Sequence, residues 1–181
     1  MFSTIRLIQE AFDAHGVKYH ISDFSEQQEI GAGFGIKNGG PLIIVRFISR
    51  NQGNDIAVRI AGLANDIPAE KRLRMMEACN QLNCSFRFIK FCLTTDGNVN
   101  VEYDLPVHLD DGCTGEAAFE IFIRFMQIMN QAYPQIAQAL YAEGEQIAIQ
   151  EDQTTVSGKL LELLREKKDH IDVSIRRVEN E

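Results

Sequence analysis

Two short glycine turns set among runs of alternating residues constrain this chain more than any other feature. Asn38-Gly39-Gly40 and Asp96-Gly97 stand at hairpin positions, and the residues around them repeat with the period of two that a half-buried strand shows. Taken along the chain, the patterns are a short helix, four strand-like runs, a second helix, two more strand-like runs and a long apolar helix. That order, α-β-β-β-β-α-β-β-α, predicts an α+β fold with two layers, an antiparallel sheet backed by helices. With 181 residues, of which 45% are hydrophobic, the chain can bury one substantial core.

Ser3 is placed to cap a first helix that carries Ile5, Ile8 and Phe12 at helical spacing and ends near His15 and Gly16. Val17, Tyr19 and Ile21 then alternate with Lys18, His20 and Ser22. In the next run Ile30, Ala32, Phe34 and Ile36 alternate with Gly31, Gly33 and Gly35, which leaves one face of that strand nearly bare backbone. The plainer reading is a twisted or edge strand beneath a crossing element, and the sharper one is a shelf for a ligand or partner strand. A dinucleotide fingerprint is excluded, because Ile36 stands where its third glycine would fall and a hairpin follows instead of a helix. Leu42 to Ile48 is apolar on both faces apart from Arg46 and reads as a central strand, followed by Ile56, Val58 and Ile60 in alternation.

Asp66 and Pro68 open a second helix with an inner stripe of Leu73, Met76, Cys79 and Leu82, while Lys71, Arg72 and Arg74 crowd its first turns as a solvated basic face or a seat for an acidic partner or phosphate. A strand is expected from Phe86 to Leu93, returning after Asp96-Gly97 through Val99, Val101 and Tyr103. Thr114 is placed to cap the long helix, in which Phe119, Ile121, Phe122, Ile123, Phe125, Met126, Ile128 and Met129 cover more than one face. Such a helix must be buried on more than one side, either between sheet and tail or against a second subunit, and Pro134 should kink or interrupt it. The expected division is a body over 1–144 and a linker with an amphipathic tail over 145–181, in which Leu160, Leu161, Leu163 and Leu164 cluster and Ile171, Val173 and Ile175 alternate.

Charge and composition exclude several classes. The balance of 18 basic against 26 acidic residues gives a net charge of −8, which disfavours phosphate backbones and anionic lipid as partners. The apolar runs are too short to cross a bilayer, and the N-terminus has no secretory pattern, so a cytoplasmic protein is expected. Cys79, Cys84, Cys92 and Cys113 read as reduced thiols. His108, Asp110, Asp111 and Cys113 have ligand chemistry, but their spacing matches no common zinc or calcium loop. Glu102 and Asp104 share one side of a strand as an acid-base pair would, or as solvated charges do. Walker-type loops, nucleophile elbows and Cys-x-x-Cys pairs are missing, so neither catalytic residues nor a cofactor are assigned.

Cys79-Asn80-Gln81-Leu82-Asn83, the aromatic strand to Lys90-Phe91, Asp96-Gly97-Asn98-Val99, Tyr103-Asp104-Leu105-Pro106 and Asp111-Gly112 before a long helix together resemble the bacterial YbjN-like family over roughly residues 1–142. The resemblance implies a sensory transduction regulator with a fold similar to type III secretion chaperones, often dimeric, that binds protein and has no known chemistry. The expectation is a non-enzymatic module that recognises a segment of a partner or client protein as a homodimer. Gly31, Gly33, Gly35, Phe122, Phe125, Met129, Leu160 and Leu164 are its candidate surface. The alternatives are a small-molecule or enzymatic domain with a pocket between sheet and helices near His108 and Asp111, and a structural connector in a larger assembly.

Overall fold

The computed structural model describes residues 1–37, 40–50, 55–107 and 113–142. Helix α1 (Ser3–Ala14) is followed by strands β1 (Tyr19–Phe24), β2 (Gln27–Gly35), β3 (Leu42–Ser49) and β4 (Ile56–Ala64). A 3-10 turn at Ala69–Lys71 leads into α2 (Arg72–Ser85), then β5 (Lys90–Leu93), β6 (Val99–Leu105) and α3 (Cys113–Tyr141). The element order is the one expected, in an α+β fold. The strands form a single antiparallel sheet in the order β1-β2-β3-β4-β6-β5.

Strand register explains which residues reach the core. Ile30 pairs with Phe47, Ala32 with Val45 and Phe34 with Ile43, and Phe47 in turn stands beside Val58. Across the far half, Ile60, Val101 and Phe91 fall in one row. All of these point to the helix side and are buried. The rings of Phe12 and Phe47 meet edge-on with centroids 5.7 Å apart, and Phe122 lies 5.7 Å from Phe12 and 6.0 Å from Phe34. Each such side chain contributes roughly 1.5–3 kcal/mol by leaving water. Helices α1, α2 and α3 all add buried residues to one continuous cluster with the sheet.

Helix α3 shows how a nearly all-apolar sequence is used. Ala118, Phe122, Phe125, Met129, Ala132, Ile136 and Ala139 recur at alternating steps of four and three and are fully buried. Phe119, Ile123 and Met126 flank that stripe on one side and Ile121 and Ile128 on the other, all half-buried. Opposite it, Glu120, Arg124, Gln127, Gln131 and Gln138 are exposed. The surplus apolar residues are therefore taken up by the helix's neighbours within the body: His15 stacks on Phe119 with ring centroids 3.7 Å apart, and Gln135 bonds Gln81 of α2 at 2.6 Å. Gly115 permits the close crossing, since a Cβ there would collide with the backbone carbonyl of Leu7.

Several local expectations are corrected. Ser3 opens α1 rather than capping it; Phe2 is the extended residue, held by core packing and by its N–H donating to Gln28. Thr114 likewise lies inside α3 and is buried. The inner stripe of α2 is Met75, Ala78, Cys79 and Leu82, whereas Leu73 and Met76 are 50% and 53% exposed. Strand β5 begins at Lys90 instead of Phe86, because Asn83 reaches back from α2 and bonds both the N–H and the carbonyl of Phe91, at 2.8 and 3.1 Å. Helix α3 is not interrupted at Pro134, which sits on its exposed stripe where the lost backbone bond faces solvent. The Asn38-Gly39 turn, His108 to Gly112, and the whole of 145–181 with Leu160 and Leu164 lie outside the described residues.

The basic start of α2 is also not a purely solvated face. Lys71 Nζ donates to the carbonyl of Leu140 at 2.6 Å and Arg74 donates to that of Ala142 at 3.3 Å. Both cations thus meet the carbonyl end of α3, where the helix dipole is negative, which compensates their unfavourable place at an N-terminus. Arg72 donates to the carbonyls of Ile67 and Thr95 and clamps the turn at Gly97, whose φ of +87° suits a residue without a side chain.

Candidate interaction surface

Because the helices cover one face of the sheet, the other face is made entirely by residues of opposite parity. On β2 these are Gly31, Gly33 and Gly35, which stand beside Arg46, Ile44 and Leu42 of β3. Strand β2 has a strand on both sides, so it is not an edge. Its glycines let the neighbours lean inward: a Cβ at Gly31 would lie 3.5 Å from Ile44 Cγ2, and one at Gly33 would lie 3.6 Å from Leu42 Cδ1. Gly35 has open space above it. Leu42 is 71% exposed and Ile44 46%, and at the β1 end Phe24 is 55% exposed. The strand that reads as apolar on both faces is thus buried on only one.

The far half of the same face is charged. Arg46 stands beside Arg59, and Arg59 beside Glu102, which also pairs in register with Lys90. The Arg59 guanidinium donates to the carbonyls of Val58 and Tyr103 and lies 2.7 Å from an Asp104 carboxylate oxygen. These bonds tie Asp104 to a cation in an open site, an arrangement that suits solvated strand charges and offers no enclosed acid-base pair. Cys92 sits on this face with its thiol raised by desolvation and, secondarily, by Glu102. Cys79, buried under the sheet, is pushed up to about 11 by its burial. Neither thiol is primed as a nucleophile.

Of the candidate surface residues that are described, the structure gathers only Gly31, Gly33 and Gly35 on the open face. Phe122, Phe125 and Met129 are 6%, 0% and 0% exposed and belong to the core on the helix side, so they form no part of the open sheet face. The reason is that α1, α2 and the sheet all pack against α3, on sides that an isolated helical pattern leaves open. Leu42, Ile44 and Phe24 were missed as surface residues because alternation identifies two faces but not which of them is covered. Among the described residues there is no grouping of His, Cys, Asp and Glu that could hold a metal ion, and no helix is long and apolar enough to cross a membrane.

No curated protein and no solved structure gives a match to the chain. A family model does, over residues 4–138, from the first residues of α1 to near the end of α3, so that it takes in the sheet and all three helices. On that match the chain belongs to the YbjN family, described as "Putative bacterial sensory transduction regulator".

Proposed function

We propose that this protein is a non-enzymatic regulatory module that binds a segment of a partner protein on the open face of its sheet and works as a homodimer in the cytoplasm. The observation that carries the reading is the apolar patch of Leu42 and Ile44 beside the glycine row, on a sheet face that no described element covers. Contiguous exposed apolar patches rimmed by polar residues are a mark of interaction surfaces. An extended segment could lie along Gly33 and Gly35, where missing side chains bring its backbone close, with Leu42 and Ile44 supplying apolar contact. The family description supports action through binding rather than turnover. The net charge of −8 supports a protein partner over nucleic acid.

The test is Leu42→Lys with Ile44→Lys in the full chain. Both side chains face outward, so thermal stability should hold, while recovery of a specific partner and self-association in sedimentation should fall. Unchanged partner recovery would remove the open face from the proposal, and a wild-type monomer throughout the micromolar range would remove the dimer. A small-molecule reading draws on a different observation, a cleft on the helix side of the sheet, and not on the stretch around His108 and Asp111.

A further inference from the structure

Between α3 and the segment that joins α2 to β5 lies an open cleft of about 200 Å³, lined by Arg87, Phe88, Tyr103, Ile121, Arg124 and Ile128, among others. Its floor is apolar, made by Ile89 and Phe125, which are 4% and 0% exposed. Two features mark its rim. First, Phe88 has a φ of +70° and is 74% exposed. A left-handed backbone costs a residue with a large side chain on the order of 1–3 kcal/mol, and an exposed ring recovers little of it by packing. Second, Arg87 and Arg124 approach from different elements, and neither guanidinium has an ion pair or hydrogen bond among the described residues. In a chain with an excess of acid, two unpaired arginines over one apolar floor form a local positive site.

We infer that this cleft binds a carboxylate carried on an apolar body about the size of one side chain. The volume is below the several hundred Å³ that hold a drug-sized ligand, which restricts the body to a single ring or branched chain. Guanidinium groups match the planar fork of a carboxylate, so Arg87 and Arg124 hold the charged end while Ile121, Ile128 and the Phe88 ring enclose the apolar end. The chemistry is shared by a free small acid and by the C-terminal residue of a peptide. The site is on the face of the sheet opposite the glycine row, so it stands or falls independently of partner binding there.

The experiment is calorimetric titration of the full chain with 3-phenylpropionate, with a hexapeptide ending in a free phenylalanine, and with the same peptide amidated at its C-terminus. At least one of the two acids should bind, the amide should not, and Arg87→Gln or Arg124→Gln should each weaken binding by about tenfold or more. Binding of phenylpropionate alone identifies a free acid as ligand, and binding of the acid peptide alone identifies a chain terminus. Phe88→Gly separates ligand binding from folding: it should raise the melting temperature by relieving the backbone while weakening the acid. The inference is overturned if neither acid binds at millimolar concentration, if binding ignores both arginine substitutions, or if Phe88→Gly lowers the melting temperature and leaves affinity unchanged.

Discussion

Strand β3 carries the same kind of residue on both sides, and the two sides meet opposite fates. Ile43, Val45 and Phe47 are at most 4% exposed beneath α1 and α3, whereas Leu42 and Ile44, one residue out of step, are 71% and 46% exposed beside a row of glycines. Composition does not separate them, since both sets are aliphatic or aromatic and strand-forming. The difference is what lies opposite among the described residues: a helical layer on one face, and on the other only the backbone of β2 and the stems of neighbouring side chains. Stability is therefore concentrated on one face, while the other is free to be used.

The comparison is broken most severely on the helix side. Phe47→Ala and Phe125→Ala should each cost about 3–5 kcal/mol in urea unfolding, as truncation of fully buried rings does; losses below 1 kcal/mol would show that the helical layer is not packed as described. Gly115→Ala attacks the same layer at its tightest crossing, where the added methyl meets the carbonyl of Leu7, and should cost about 1–3 kcal/mol. On the open face, Ile44→Ala should cost about 1 kcal/mol or less because much of its surface already meets water. A penalty as large as that for Phe47→Ala would mean that something covers this face.

Smaller effects sharpen the picture further. Lys71→Met removes the cation from the Leu140 carbonyl and should cost about 0.3–1 kcal/mol, shrinking as salt is added. The buried Cys79 thiol has no effect at neutral pH, where it is protonated folded or unfolded. Its pKa is raised in the folded state to about 11, so the unfolded chain ionises first as pH climbs. Stability should then fall between the ordinary thiol range and that value, and Cys79→Ala should flatten this part of the pH profile relative to wild type.

Much of the architecture was legible because period-two and period-3.6 patterns are local. The alternation through Ile56, Val58 and Ile60, the hairpin at Asp96-Gly97 and the existence of three helices needed no tertiary information. Half of the α2 stripe was legible, Cys79 and Leu82, while Leu73 and Met76 stand where Met75 and Ala78 are buried, because the helix's apolar residues are sparse and spread round it and contact with β5 and α3 decides which are buried. The β5 start was misread since Phe86 to Ile89 alternates as well as a strand does, yet Asn83 satisfies the edge at Phe91 and the chain upstream turns at Phe88 with φ of +70°. The candidate surface was half legible. The glycine row is visible as bare backbone, but Phe122, Phe125 and Met129 could be recognised as core only once α1, α2 and the sheet were seen packed around α3.

By itself, then, the sequence determined the elements, their order and the α+β class, because backbone periodicity and turn chemistry act between residues close along the chain. It also settled the acidic charge. Only the tertiary structure decided that all three helices share one face, that no described element covers Leu42 and Ile44, that Lys71 and Arg74 close the end of α3, and that Arg87, Arg124 and Phe125 line one cleft. Each of these joins residues far apart in sequence, and the free energy that places them depends on which surfaces leave water together.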